Sequence, residues 1–259
     1  MNNKLTAQIS LILVAIIWGV TFILVKQALN DCPPFFFATL RFGLATILTI
    51  SLVNRKLFQL TNNEITGGIV CGFFLFLGYG FQNFGLMHTT ASKSAFITSV
   101  SVLLVPIFLV TCNLQKVKWR IWIAVLLATM GLYLLILPSG GGLNLGDILT
   151  SGCALSFALH IIAQDIYIKK EIRLLPFFCV QSGFVTLFSF VNAQIFESSA
   201  IIWSDRLFAA IIITGVLATF AAFLIMIWAQ KILNPSETAI IFAAEPVAAA
   251  LFATAFGGE

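Results

Sequence analysis

Nine times along its 259 residues the chain runs predominantly apolar, each time for about the 20 residues that one helix needs to cross a bilayer core. The runs fall at 5–28, 35–53, 64–87, 91–112, 119–137, 146–168, 174–195, 206–230 and 236–256. Hydrocarbon offers backbone N–H and C=O groups no partner, so each run must be a helix that closes its own ladder. Asp, Glu, Lys and Arg make up 9% of the chain, against about 25% in a soluble domain, which is too little to cover a water-facing surface. The expected fold is an all-α polytopic membrane protein. The first run is too long for a cleavable signal and ends in no small-x-small site, so it reads as the first spanning helix.

The gaps between runs carry turn residues and charge. Five of the seven prolines (Pro33, Pro34, Pro138, Pro176 and Pro235) fall in or beside them, as turn residues should. The glycine run PSGGGLNLG from Pro138 is the clearest loop. Neither a strand nor a GKS or GKT follows it, so it is not a phosphate cradle. With the N terminus inside, Lys4, Arg55, Lys56, Lys116, Lys118, Arg120, Lys169, Lys170, Arg173 and Lys231 lie on the cytoplasmic side, and only Lys26, Lys93 and Arg206 lie opposite. That asymmetry is the positive-inside signature. The net charge of +4 therefore orients the chain in a membrane and does not mark a nucleic-acid partner. Cys32, Cys71, Cys112, Cys153 and Cys179 are scattered without metal or redox spacing and read as small apolar residues.

The chain also resembles itself. Ser92–Phe108, SKSAFITSVSVLLVPIF, matches Ser236–Phe252, SETAIIFAAEPVAAALF; each opens on Ser-x-Ser/Thr-Ala and holds a proline inside an apolar run. From alanine to proline the copies run eleven and seven residues, a difference of about one helical turn that keeps the proline on nearly the same face. WGVTFILVK (Trp18–Lys26) corresponds loosely to FALHIIAQD (Phe157–Asp165). Copies that begin five helices apart run in opposite directions through the membrane, and inverted repeats of this kind place a substrate site near the midplane of secondary transporters.

IIWGVTFILVKQAL in the first run, FATLRFGLATIL in the second, GLMHTTASKSAFITSVSVLLVPIF across the third and fourth, and NPSETAIIFAAEPVAAALFATAFGGE at the end resemble EamA-type members of the drug/metabolite transporter superfamily. The resemblance covers essentially the whole chain. It implies ten helices in two inverted five-helix repeats, both termini cytoplasmic, and a central cavity built from helices 1, 3, 4, 6, 8 and 9. It also implies export of amino acids, other metabolites or drugs. On this reading residues 1–140 hold helices 1–5 of the first repeat and 141–259 hold helices 6–9 of the second, nine of an expected ten. In the family a tenth helix follows the Gly–Glu after the ninth; its absence reads as a fragment or a misplaced stop, with a natural nine-helix variant as the alternative.

Polar groups inside the spans each need a partner or a role. Glu245 sits mid-span beside Pro246, whose missing N–H frees the Phe242 carbonyl, as Pro106 frees that of Val102. Paired helix breaks point to a transport site; the competing reading is a kink that only shapes the bundle. Glu245 is the candidate carrier of a coupling proton. Gly152, Ser156, His160 and Gln164 form one stripe at i, i+4 spacing, and His160 is either a packed residue or a cavity residue. Tyr79, Gln82 and Asn83 in the third run are further candidates for the cavity lining, as is Thr98 in the fourth, although packing suits the Ser94–Thr98–Ser101 stripe better. Trp18 lies mid-helix, away from the interfacial belts that Trp119, Trp122 and Trp203 suit, and is placed to stack on a solute, close a gate or pack the core. Arg41, about two turns into the second run, is expected to snorkel or form a structural ion pair, with contact to an anionic substrate as the other reading.

The expected function is alternating-access transport of a small organic solute across the cell (inner) membrane, with protons as the candidate coupling ion and no cofactor. Few fixed charges face the cavity, which favours a neutral or zwitterionic solute. The alternatives are a channel or an intramembrane enzyme. The second is disfavoured because Ser156 and His160 share one helix face, His88 and His160 are the only histidines, and no HExxH occurs.

Overall fold

The computed structural model describes residues 3–53, 59–136, 143–198 and 200–257. Among the described residues there is no strand, and nine helical spans follow one another. These are α1 (Asn3–Ala28), α2 (Pro34–Val53), α3 (Asn62–Leu86), α4 in two pieces, α5 (Trp119–Ile136), α6 (Leu145–Ile168), α7 (Leu174–Phe196), α8 (Asp205–Gln230) and α9, again in two pieces. Eight are long and apolar enough to cross a membrane, and α5, at 18 residues, supplies the ninth. Every span begins and ends within two residues of its apolar run, the last because a π-helical stretch, Ala253–Gly257, carries α9 on past Phe252. The glycine run at 138–142 lies outside the described residues, as do Arg55, Lys56 and the proposed boundary between 140 and 141.

The helix starts are legible in local chemistry. Thr61 Oγ1 accepts from Glu64 N while Glu64 Oε2 accepts from Thr61 N, and Asn144 and Asp147 make the same reciprocal capping box at α6. Thr90 and Asn234 cap the first pieces of α4 and α9 by accepting from Lys93 N and Glu237 N.

The breaks correct one expectation. α4 divides into α4a (Ala91–Thr98) and α4b (Ser101–Thr111), and α9 into α9a (Pro235–Phe242) and α9b (Glu245–Phe252). Both interruptions fall four residues past the matching alanines, at Ser99–Val100 after Ala95 and at Ala243–Ala244 after Ala239. Pro106 therefore does not break α4; it lies inside α4b, six residues beyond the break. Pro246 starts α9b, where a missing N–H costs no ladder bond. Each break is a tight turn of i→i−3 bonds, Val100 N to Ile97 O and Ala244 N to Ile241 O.

The helix neighbours obey a two-fold pattern. α3 packs on α6 as α8 packs on α1; α3 meets α7 as α8 meets α2; α1 lies along α9 as α6 lies along α4; and α2 pairs with α7. Exchanging helices 1–4 with 6–9 leaves this set unchanged, as inverted repeats require. At one end of the bundle Lys4 Nζ pairs with Glu237 Oε1 at 2.7 Å and Arg173 forks onto Glu64. The opposite end holds Arg206–Asp31, Lys93–Asp147, and Glu197 accepting from the N–H groups of Phe35 and Phe36. Exposed apolar side chains such as Ile47, Ile50 and Leu52 on α2 and Leu126 and Leu127 on α5 line the outer faces, as contact with lipid demands.

Candidate functional site

A cavity of about 50 Å³ lies between α1, α2, α3, α4, α6, α8 and α9, with room for about four waters at 10–15 Å³ each. The two breaks open into it. Ser99 and Ser101 border it from α4, and Glu245 borders it from the first turn of α9b, so the carboxylate and Ser101 occupy equivalent places in the two repeats. α9b reaches the centre because Gly19 of α1 lets it approach closely. A Cβ at Gly19 would stand 2.5 Å from the Glu245 carbonyl oxygen and 2.7 Å from Ala248 Cβ.

Six of the eight candidate lining residues share this cavity: Trp18, Tyr79, Gln82, Thr98, His160 and Glu245. Trp18 both lines and packs: its indole N–H donates to Ala218 O at 2.8 Å, and its ring lies 5.4 Å from Phe223 and 4.9 Å from Phe242. Thr98 Oγ1 lies 3.7 Å from Cys153 Sγ. His160 meets the Phe223 ring edge-on at 5.9 Å, and its Nε2 is buried without a hydrogen-bond partner. Asn83 and Gln164 stand outside the cavity wall. Asn83 Nδ2 donates to Pro34 O at 3.2 Å, tying α3 to the start of α2, and Gln164 Nε2 donates to Gln230 Oε1. Pro106 and Pro246 are both buried in their helices and do not line the cavity.

Arg41 does not take the first of the two places expected for it. It neither snorkels nor meets a carboxylate among the described residues. It is 3% exposed and points into the cavity. Its Nε donates to Thr219 Oγ1 at 2.6 Å, Nη2 reaches Tyr79 Oη and Ala218 O at 3.3 Å, and the guanidinium lies 4.5 Å from the centre of the Tyr79 ring. Thr219 and Ala218 belong to a π-helical stretch of α8, Ile213–Ala221. A π turn shifts the ladder register and leaves carbonyls for outside donors, and it recurs at functional sites. Ala218 O accepts from both Trp18 and Arg41. Periodicity cannot reveal such a stretch, because its residues are as apolar as those of any spanning helix.

The cavity thus holds one guanidinium and one carboxylate that do not pair with each other, set among the rings of Trp18, Tyr79, Phe157, Phe223 and Phe242. Among the described residues no group of three or more His, Cys, Asp or Glu could hold a metal.

The pattern of the EamA-like transporter family matches residues 5–137 and 144–259. An uncharacterized transporter of Archaeoglobus fulgidus is 35% identical over 99% of this chain and 80% of its own length. The uncharacterized transporter YoaV of Bacillus subtilis is 24% identical over 95% of this chain and 86% of its own. A solved crystal structure superposes with a TM-score of 0.77 at 17% identity, covering 98% of this chain and 89% of that one, which bears on the fold alone. With nine spans among the described residues, paired breaks and a polar cavity, this multi-pass membrane protein belongs to the EamA-like transporter family.

Proposed function

We propose that this transporter carries a small zwitterionic solute of the amino-acid kind by alternating access. The observation that carries the reading is the cavity's unpaired couple, Arg41 on one wall and Glu245 on another. A buried cation or anion without a partner is expensive in a membrane interior, and a zwitterion satisfies both at once. Arg41 takes the solute carboxylate through its planar fork, Glu245 takes the ammonium, and the rings of Trp18 and Phe242 cover the side chain. A cavity with room for a few waters must widen to admit such a solute, and the breaks in α4 and α9 supply joints at equivalent depths.

Glu245 is the group we assign to proton coupling, since it is the carboxylate of the cavity wall. We read the N terminus as cytoplasmic in a cell (inner) membrane protein, a reading the basic bias supports, and export is the direction we infer. We read residues 1–140 and 141–259 as the two repeats. Counterflow in proteoliposomes tests the proposal with amino acids, sugars and cationic dyes, each with and without a pH gradient. Saturable exchange confined to zwitterions is the expected result. Exchange of dyes or sugars alone would overturn the solute class, and non-saturable flux would favour a channel.

A further inference from the structure

Towards the Lys4 end the cavity stops at Ile161 of α6 and Met226 of α8. About one turn further along the same two helices lie Gln164 and Gln230, 0% and 3% exposed. Their side chains meet across the gap, with Gln164 Nε2 donating to Gln230 Oε1 at 2.5 Å and Gln230 Nε2 donating to Ile161 O at 3.4 Å. Beyond the pair opens a vestibule of about 510 Å³, walled by Asp165 and Ile168 of α6, by Gln230 itself and by Lys231. α6 therefore gives His160 and Ile161 to the cavity and Asp165 and Ile168 to the vestibule, with Gln164 between them. α8 divides in the same way, with Phe223 and Met226 on one side and Gln230 and Lys231 on the other.

The two repeats differ at this place. Aligning Trp18–Lys26 with Phe157–Asp165 sets Val25 opposite Gln164, and the last residue of α3, Leu86, stands where α8 ends in Gln230. Val25 and Leu86 both wall the cavity towards the other end. One end is thus narrowed by apolar side chains and the other by an amide pair.

We infer that the Gln164–Gln230 pair is the gate between cavity and vestibule, and that it opens for solutes whose polar groups replace its hydrogen bond. Parting the pair strands two buried amides, and stranded amides are costly. Gln164 Oε1 already lacks a partner, so an entering solute finds an acceptor waiting as well as a bond to exchange. A solute without hydrogen-bonding groups restores nothing and leaves the gate shut. The Val25–Leu86 side makes no such demand, so discrimination between polar and apolar solutes falls to the vestibule side. The inference rests on alternating access by this transporter but not on which solute it carries.

The test is side-specific thiol labelling in proteoliposomes. In a background with the five cysteines replaced by alanine, Ser101→Cys places a probe in the cavity wall, and a membrane-impermeant methanethiosulfonate is added from either side. Gln164→Asn and Gln230→Asn shorten the pair by one methylene each. Each is expected to raise labelling from the vestibule side by about fivefold, the scale of one lost hydrogen bond, and to leave the opposite side unchanged. Unchanged labelling from the vestibule side would overturn the gate. Should the asparagine variants fail to insert, the volume-conserving double variant Gln164→Leu/Gln230→Met decides. With no hydrogen bond left to exchange, it is expected to raise labelling from that side and to remove the preference for polar over apolar solutes, and labelling at the parent rate would overturn the inference. Labelling needs no solute, so a side-specific change in a chain that exchanges no zwitterion would support the gate while sinking the proposed substrate class.

Discussion

Arg41 and Glu245 have the sharpest chemistry in the cavity, and each is open to a single-residue test. Arg41 reaches Thr219, Ala218 and Tyr79 from one planar group. Lysine keeps the charge but has no fork to span them. Arg41→Lys is therefore expected to raise the KM for a zwitterionic solute about tenfold, the loss of one charge-assisted hydrogen bond, while the protein still inserts and purifies. An unchanged KM would return Arg41 to a packing role. Glu245→Gln keeps the shape of the carboxyl but cannot exchange a proton. Solute–solute exchange should persist only at a raised KM, because the ammonium loses its charged partner, while acceleration by a pH gradient disappears; identical pH dependence in variant and parent would remove Glu245 from coupling. Six of the eight candidate lining residues could be placed from sequence because a polar group in a spanning run must face protein or water. Arg41 could not, because spacing reveals a charge in a membrane but not whether it turns towards the interface or the cavity. Nor could Phe223, one of 26 phenylalanines, which only tertiary packing sets beside Trp18, Tyr79 and His160.

At the scale of the helix, the breaks are tertiary features that proline marks only in part. α4 divides at Ser99–Val100 with no proline in the break, whereas α9 divides just before Pro246. Pro246→Ala should therefore leave the α9 break in place, because position N2 of α9b needs no ladder donor. The expected outcome is exchange within about twofold of the parent, below the about fivefold effect of one lost hydrogen bond, measured by counterflow. The contact that holds α9b at the cavity is more vulnerable. Gly19→Val would drive a branched side chain into Glu245 O, Ala248 Cβ and Ala249 N. Overpacking of this kind typically costs about 1–3 kcal/mol, and a lowered melting midpoint in detergent would register it. Small residues that let helix backbones approach closely are a common device of membrane interfaces. The sequence holds 18 glycines, and nothing local distinguishes the one at this crossing.

Across the whole molecule, the ends of the bundle are tied by charge and the middle is left polar but unpaired. Lys4–Glu237 joins the first turn of α1 to the first turn of α9a, and Asp147–Lys93 joins the first turn of α6 to the first turn of α4a. The two links occupy equivalent places with their charges exchanged. Outside the spans, Asp31 receives both Arg206 nitrogens and the Ser204 hydroxyl. The Arg206 and Ser204 hydrogen bonds hold its carboxyl below the ordinary value against the opposing effect of burial. A depressed folded value means that the link stabilises fully above the unfolded pKa, about 3.9, and loses that contribution as pH falls through the lower folded value. Asp31→Asn should accordingly lower the melting midpoint at neutral pH and flatten its decline in acid. Parallel curves for variant and parent would show that the link adds nothing. Glu197 behaves oppositely: burial raises its carboxyl pKa although the Phe35 and Phe36 N–H groups favour the charged form.

Apolar run length by itself determined the nine spans seen among the described residues, and their limits to within two residues, because hydrocarbon leaves the backbone no alternative to a helix. The self-resemblance of the chain likewise carried the inverted pairing of helices, since five intervening crossings force opposite directions. Where the helices break, which helix carries a π stretch and which polar side chains share a cavity were decided only by tertiary structure. Those outcomes depend on contacts between residues far apart in the chain, such as Gly19 against Glu245, Arg41 against Thr219 and Gln164 against Gln230. In a chain where every helix is apolar on nearly all faces, periodicity carries little information about which face turns inward; packing between small residues and the pairing of costly polar groups make that choice.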